Sequence, residues 1–312
     1  MNDHTSTFHA GEVAMQRTAG VDARMREVGP RVIRDHMPEQ HREFFEQLPM
    51  LLVGSVDAGQ RPWASVLCGL PGFIVTPDSQ RLRVDVLPAS DDPLSDHLQL
   101  GATFGLLGIE PSTRRRNRIN GTVVTIDELG FELRVDQSFG NCPKYIQARA
   151  ARWVDSGPAV GEGRREGSLL SPTASALIAQ ADTLFIASAA PGHGADVSHR
   201  GGRAGFVRVQ HVGGATMLTV PDFAGNLFFN TLGNITAHPL AGLLFIDHDN
   251  GDTLQLTGRA SIIATGPEVD DFVGAQRLLR VEIDEGRWGS RPLPLRWSGA
   301  EFAPQLAATG HW

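Results

Sequence analysis

The 312-residue chain is poor in cysteine, in tyrosine and in long apolar runs. Its two cysteines, Cys68 and Cys142, are too few for a disulfide scaffold or a thiolate zinc site, so we expect a reducing, cytoplasmic setting. The longest strongly apolar runs, such as residues 241–246, have the length of a strand and fall short of the roughly 20 residues that span a bilayer. The N-terminal sequence MNDHTSTFHAGEVAMQ lacks the apolar core of a signal peptide. These absences predict a soluble protein.

The chain also lacks a basic footprint and the standard catalytic motifs. Its formal net charge is −7, whereas binders of nucleic acid or anionic membranes are usually basic, so we expect neither partner. There is no GxSxG elbow, no Walker loop and no strand-linked GxGxxG, and the 11 histidines show no metal-binding spacing. Residues 247–249 (Asp-His-Asp) resemble a metal site, but the Asn250-Gly251 pair after them favours a hairpin turn. We therefore predict no metal.

What the chain does have is turn chemistry between short β-like runs. Its 35 glycines and 19 prolines favour short strands over long helices. Helix formers with apolar residues at helical spacing predict a helical arm over residues 1–46. The predicted strands that follow are 51–56, 63–67, 72–75, 82–87, 104–109 and 118–126. A mainly β fold, a barrel or a sandwich, is the fold class that this pattern indicates.

The β-like pattern occurs twice in the chain. LLVGSV at 51–56 matches LFIASA at 184–189 at an offset of 133, and GLLGIE at 105–110 matches GLLFID at 242–247 at an offset of 137. Matches in the same order indicate a duplicated domain, with two unrelated β-domains as the alternative. We predict a helical arm at 1–46, a first domain at 47–154, a linker at 155–171 and a second domain at 172–312.

Candidate binding residues concentrate in two segments of the second half. The segment 195–208 (ADVSHRGGRAGFVR) contains Ser198, His199, Arg200 and Arg203 among glycines, and two guanidinium groups are suited to forking onto phosphate oxygens. A solvated turn with surface arginines is the alternative.

The second segment, 220–234 (VPDFAGNLFFNTLGN), begins where a strand is broken by a proline and continues into a predicted short helix. The start of a helix with amide and hydroxyl donors is suited to an anion. Simple capping by Asn226 is the alternative. The candidate residues here are Pro221, Asp222, Asn226, Asn230 and Thr231.

The order strand, SHRGGRAGFVRV, strand, PDFAGNLFFNTLGNITAHPLAGLLFID, LQLTGRA resembles the pyridoxamine 5′-phosphate oxidase-like, FMN-binding split-barrel superfamily. The resemblance is strongest to its tandem "pyridoxamine 5′-phosphate oxidase-related flavin-nucleotide-binding" subgroup, and FHAGEVAMQ and FGNCPKYIQ also resemble that subgroup. It implies two tandem split barrels of the FMN-binding type. Each would be a six-stranded barrel that dimerises, with FMN between subunits, so we expect a homodimer.

The resemblance also implies roles for particular residues of the second copy. The phosphate-holding Arg of the oxidases corresponds to the segment 198–200, and their Ser-Arg-Lys run corresponds to 229–231. The Lys is absent, with Thr231 near its place, so Arg200 or Arg203 would supply the charge. A flavin-contacting Gln corresponds to Thr253. These departures leave FMN binding as the expectation and argue against pyridoxamine phosphate oxidation.

The first copy has a weaker site pattern. Its counterpart of the SHRGGR loop, ASVLCGL, has no cation, and residues 88–98 are acidic, so we predict a scaffold and a subunit contact. Arg114, Arg115 and Arg116 are predicted to form a solvated hairpin tip. Cys142 is predicted to close a loop as a small buried residue, with reaching the flavin pocket beside Lys144 and Tyr145 as the alternative.

Taken together, the residues and the resemblance predict an FMN-dependent oxidoreductase whose substrate is unknown. The flavin would carry the electron chemistry, and NADH or NADPH would be a suitable electron donor. No side chain is predicted as a catalyst. A flavin-storing module without turnover, or a split barrel that holds haem on His199 or His193, or a deazaflavin, are the alternatives.

Overall fold

The computed structural model describes residues 7–155 and 163–312. Three helices come first and form the predicted arm. They are α1 (Ala10–Thr18), α2 (Asp22–Val32) and α3 (Glu39–Glu46). Helix α1 has a capping box, in which His9 accepts a bond from the Gly11 N–H and Glu12 accepts one from the His9 N–H. The remaining four helices are short and connect strands: α4 (Pro93–His97), α5 (Pro172–Gln180), α6 (Asn230–Ala237) and α7 (Pro267–Asp270).

The first half of the chain forms a seven-stranded antiparallel sheet. Its strands, in chain order, are β1 (Met50–Val56), β2 (Pro62–Cys68), β3 (Ile74–Asp78), β4 (Arg81–Val84), β5 (Thr103–Glu110), β6 (Arg115–Ile126) and β7 (Phe131–Gly140). In space they lie in the order β2-β1-β5-β6-β7-β4-β3. The last strand in the chain order, β7, is absent from the predicted strands, although its sequence, FELRVDQSFG, begins with the alternation of apolar and charged residues that a half-exposed strand shows.

The second half repeats this sheet. Its strands are β10 (Thr183–Ala190), β11 (Gly194–Gly201), β12 (Arg208–Val212), β13 (Ala215–Asp222), β14 (Leu240–Ile246), β15 (Thr253–Ile263) and β16 (Arg277–Trp288). Their spatial order, β11-β10-β14-β15-β16-β13-β12, corresponds strand for strand to that of the first sheet. Each sheet has seven strands on this path, one more than the resemblance implies. Two further short strands, β8 (Ala151–Trp153) and β17 (Leu295–Trp297), pair with each other.

The two sheets pack on each other with approximate twofold symmetry. A Cβ on Gly105 in β5 would lie 2.6 Å from the Ala195 carbonyl oxygen in β11, and a Cβ on Gly242 in β14 would lie 2.4 Å from the Pro62 carbonyl oxygen in β2. Gly105 and Gly242 are related by the offset of 137, and Pro62 and Ala195 by the offset of 133. Glycine at both positions is what permits this close approach of backbones.

Three apolar cores result from this packing. Each barrel encloses one core, and a third core lies between the barrels. In β1, Leu51 and Val53 point into the first barrel, whereas Met50 and Leu52 point into the shared core. Both faces of β1 and β10 are therefore buried, which explains why their sequences are nearly continuous apolar runs.

The helical arm connects the two halves, although the sequence predicted only that it packs on a barrel. Phe8 and Met25 of the arm form an apolar cluster with Phe139, at the end of β7, and Phe228, just before α6. Helix α1 lies against α6 so closely that a Cβ on Gly11 would lie 2.2 Å from the Gly233 carbonyl oxygen. Helix α3 buries Phe44 and Phe45 in the first core.

The predicted linker at 155–171 is only partly described. Residues 156–162 lie outside the described residues, and after them β9 (Arg165–Glu166) adds a strand to β16.

The Asp247 carboxylate accepts bonds from the Asp249 and Asn250 N–H groups, so the Asp-His-Asp run forms the predicted turn. Within the described ranges, no cluster of His, Cys, Asp and Glu is arranged to hold a metal, and no helix is long and apolar enough to cross a membrane.

Candidate functional site

A pocket lies where the two sheets face each other. One wall comes from β6 and from the residues just after β7 in the first half, and the other comes from β11, the end of β13 and the start of α6 in the second half. The pocket encloses about 660 Å³ out to open solvent at its mouth. Much of this volume is open solvent, and the space inside the pocket that the centre of a water-sized sphere can reach is about 80 Å³.

Seven of the ten residues predicted from the sequence line this pocket. They are Ser198, His199, Arg200, Asp222, Asn226, Asn230 and Thr231. Arg203 and Pro221 do not line it: the Arg203 guanidinium instead donates to the Leu306 carbonyl at 2.8 Å, and Pro221 is buried in β13 opposite Leu278. The structure therefore brings the two predicted segments together but leaves their ends outside the pocket.

Thr253 lies outside the pocket as well, and its position shows how the site is built. Because the pocket is formed between the two halves, β6 of the first half faces β11 of the second. The residue that corresponds to Thr253 at the offset of 137 is Arg116, which does line the pocket. The structure thus places Arg116 of the first copy, and not Thr253 of the second, at this pocket.

Arg118 is the most buried cation of the pocket, with a side chain only 3% exposed. Its guanidinium lies 3.2 Å from the Asp196 carboxylate and also donates to the Ser198 hydroxyl. Thr231 donates to the same Ser198 oxygen at 3.0 Å. The Arg118 Nε has no hydrogen-bond partner within the described part of the chain, and neither has the Asn141 amide nitrogen. Unpartnered buried donors are costly, which points to a ligand that accepts hydrogen bonds here.

Arg116 faces the pocket without a carboxylate partner among the residues the structure describes. Its guanidinium donates to the Cys142 carbonyl at 2.9 Å and to the His199 Nδ1 at 3.0 Å, and it lies 3.8 Å from the Cys142 sulfur. Burial lowers the Arg116 pKa to about 10, so it is still charged at neutral pH. Burial and the neighbouring Arg116 also hold the His199 pKa well below its usual value, so the ring is neutral. Arg116 is thus a cation whose contacts are all neutral groups, and the expectation of a solvated hairpin tip is wrong for it.

Three guanidinium groups line the pocket, those of Arg116, Arg118 and Arg200, and that of Arg277 lies behind the pocket residue Phe229. Together the four outnumber their two carboxylate partners by two. Arg200 pairs with Asp222 at 2.8 Å, and Arg277, stacked on Phe229, lies 3.7 Å from the same Asp222. Arg118 is paired with Asp196, and Arg116 is unpaired as described above. The surplus of two positive charges matches the charge of a phosphate monoester dianion.

Helix α6 points its N-terminus at this pocket. Its N-cap residue, Phe229, has a left-handed φ of 63° and provides no side-chain cap. Asn230 and Thr231, the first two helical residues, both line the pocket. Free N–H groups at a helix start attract anions, and here the buried, partnerless Arg118 Nε lies on the facing wall.

The corresponding place in the other half is filled by the protein itself. Ser65, which corresponds to Ser198, donates to the Asp92 carboxyl at 2.6 Å, and Gln255, which corresponds to Arg118, contacts both groups. Asp92 also caps α4 by accepting the Leu94 N–H at 2.8 Å. A carboxyl group thus occupies the position that α6, Ser198 and Arg118 leave open in the pocket.

Cys142 lines the pocket and Cys68 does not, which gives a chemical test of the site. Burial raises the Cys68 pKa to about 12, so its reactive thiolate is nearly absent at pH 8. We expect iodoacetamide at pH 8 to label Cys142 and to spare Cys68, as read by peptide mass spectrometry. A ligand bound in the pocket should protect Cys142. Equal labelling of both thiols would contradict this assignment of the pocket wall.

No protein-family model and no curated protein matches the chain. Among solved structures it is similar to a pyridoxamine 5′-phosphate oxidase-related, FMN-binding protein from Nostoc punctiforme, with 11% identity over 44% of this chain and 98% of that one and a TM-score of 0.26. It is similar to a FAD-binding protein from Mesorhizobium loti, with 13% identity over 41% and 99% and a TM-score of 0.28. It is also similar to HutZ, the haem storage protein from Vibrio cholerae, with 11% identity over 43% and 95% and a TM-score of 0.25.

The repeated strand order makes the chain a tandem split barrel. The predicted fold class, mainly β with two tandem split barrels, is confirmed. Each of the three matches covers less than half of this chain and nearly all of the solved one, and solved structures of the predicted superfamily are among the matches. The three solved proteins are named for FMN, FAD and haem.

Proposed function

We propose that this tandem split barrel binds flavin mononucleotide between its two halves and is an FMN-dependent oxidoreductase. The observation that carries the proposal is the surplus of two guanidinium groups around a pocket that also contains an uncapped helix N-terminus. A phosphate monoester supplies both the charge and the hydrogen-bond acceptors that such a pocket lacks.

The residues present fit both ends of a flavin nucleotide. Arg116, Arg118, Ser198 and Thr231 would hold the phosphate, because they provide cationic or hydroxyl donors around one opening. The apolar part of the lining suits a flat ring system, and it consists of Leu107, Phe223, Leu227, Phe229 and Leu232. A bound flavin would supply the redox chemistry, while the protein binds it, orients it and keeps water away.

One neutral group of the pocket wall, His199, adds no charge to it around neutral pH. His199 accepts from Arg116 through Nδ1, so its remaining proton is on Nε2. Its lowered pKa keeps it from becoming a further cation in the range where flavoproteins work. The arginines are therefore the only cations of this wall, in the part of the chain that is described, that an anionic ligand meets.

The purified protein is expected to be yellow, or to become so when FMN is added. An absorbance spectrum, with mass spectrometry of the ligand released by denaturation, measures this directly. A protein that stays colourless and does not quench FMN fluorescence would exclude the proposal, and a Soret band would assign haem instead. Reduction of the bound flavin by NADH or NADPH under anaerobic conditions then separates an oxidoreductase from a flavin-storing module.

A further inference from the structure

Glu12 is a buried acid of the helical arm that contacts the pocket's helix. Its side chain is 6% exposed and lies between α1 and α6. The Asn230 amide, at the first position of α6, donates to one Glu12 oxygen, and the His9 N–H donates to the other at 2.9 Å. Asn230 itself lines the pocket. One carboxyl group therefore joins the arm to the pocket wall.

The arm holds the rim of the pocket at three further points. Gln16 donates to the Phe228 carbonyl at 3.2 Å, in a stretch where Leu227 and Phe229 both have left-handed φ values of 68° and 63°. Such conformations are strained for residues other than glycine and persist only where the surroundings hold them. His9 bonds the Asn234 side chain at 2.8 Å, and Gly11 packs on Gly233.

The charges that face Glu12 come from every element packed around it. Asp196 of β11 and Arg118 of β6 act on it through space, with opposite signs. His9, on its own element, is neutral because burial lowers its pKa. Burial, with Asp196 as the second cause, raises the Glu12 pKa to about 8. Glu12 is thus protonated and neutral at pH 7, which leaves the two surplus positive charges of the pocket intact.

We propose that Glu12 is a positioning residue for the pocket and that it couples the binding of an anionic ligand there to the uptake of a proton. The inference rests on the proposed function only in requiring that the pocket binds a phosphate. An ionised Glu12 would cancel one of the two surplus charges and repel the ligand. A bound dianion must, by the same interaction, favour the protonated carboxyl.

The sign of the pH dependence follows from this linkage. Below pH 8 Glu12 is protonated with or without ligand, so the affinity does not depend on its titration. Above pH 8 the free protein has lost the proton and must recover it to bind, so affinity falls by up to about tenfold per pH unit. The phosphate of FMN is already a dianion over this range and does not contribute.

The experiment measures the Kd of FMN by fluorescence quenching at pH 7 and pH 9, and of inorganic phosphate by competition. The wild-type protein is expected to bind roughly tenfold more weakly at pH 9. Glu12→Gln, which mimics the protonated acid, should bind equally well at both pH values and as well as the wild type does at pH 7. Arg116, with a pKa of about 10, is present in both proteins. Its titration therefore cannot cause a difference in pH dependence between the wild type and Glu12→Gln. Glu27→Gln, at an exposed acid of α2, should retain the wild-type pH dependence.

A second measurement separates positioning from a general loss of folding. A dye in weak buffer at pH 8 should report about half a proton taken up per ligand by the wild type and none by Glu12→Gln. Glu12→Ala removes the bond to Asn230 and should weaken binding at both pH values, and Glu12→Gln should restore it. Binding that is tight but independent of pH in the wild type would overturn this inference alone. Absence of FMN and phosphate binding at both pH values would overturn the proposed function together with it.

Discussion

Replacing Arg116 with glutamine is expected to weaken FMN binding by about 100-fold while leaving the protein folded. Arg116 has no carboxylate partner within the described residues, so its charge is available to the ligand, and charge-assisted hydrogen bonds of this kind contribute about 2–3 kcal/mol. Its removal leaves no unpaired carboxylate behind, but it takes the donor away from the Cys142 carbonyl and from the buried His199 Nδ1. We therefore expect the free energy of unfolding to fall by about 1–3 kcal/mol, which still leaves the protein folded. Flavin titration and urea denaturation measure the two quantities.

Two further arginine variants test whether the loss of binding is specific to Arg116. Arg134→Gln removes an arginine that is 60% exposed and paired with Asp136, and it should change neither binding nor stability. Arg118→Gln should reduce both, because it leaves the buried Asp196 without its ionic partner. Wild-type affinity in Arg116→Gln would show that the phosphate is not held at this wall of the pocket.

The pair Gly105→Ala and Gly242→Ala is expected to destabilise the protein to a similar extent. Each methyl group would enter a space in which the other barrel's backbone lies within 2.6 Å or 2.4 Å of it, so the two halves must move apart. Overpacking against backbone costs about 3 kcal/mol, which lowers Tm by roughly 5 °C in a chain of this size. Thermal unfolding with each variant tests the contact.

The two glycine variants should differ in binding, because their surroundings differ. A Cβ on Gly105 would lie 2.6 Å from the Asp196 Cα, so this variant displaces the carboxylate that pairs with Arg118 and should weaken FMN binding about tenfold more than Gly242→Ala does. Gly299→Ala, where no atom lies near the new Cβ, is the neutral control. Tolerance of both strand variants would show that the barrels do not pack through these glycines.

Much of the fold was predictable from the sequence because the same order of apolar runs occurs twice in the chain. The runs at 51–56 and 184–189 are apolar at nearly every position, which fits strands that are buried on both faces, as β1 and β10 are. β7 was missed although the apolar residues of FELRV alternate with charged ones, which is the pattern of a strand with one exposed face. The strand β9 was missed because two residues carry no periodic signal.

The site was predictable on one side only. The polar residues and glycines of the SHRGGR and PDFAGN segments predict the wall of the pocket that the second half forms. Arg116 was missed because it was assigned to a solvated hairpin tip, and Arg118 because a predicted strand does not show what its side chains face. Only the packing of one copy against the other turns β6 towards β11. The offset of 137 was the available signal, since it relates Thr253 to Arg116. Glu12 had no signal, because its partner Asn230 is 218 positions away.

The fusion of two copies into one chain has a consequence for stoichiometry. In a dimer of identical subunits, every substitution appears at both of the sites that the twofold axis relates. In this chain the residues of the two related sites can differ. The pocket has Arg118 beside the open start of a helix, whereas the corresponding site in the other half has Gln255 beside the Asp92 carboxyl. We therefore expect the chain to bind one flavin rather than two, with the second place retained as a structural joint between the barrels.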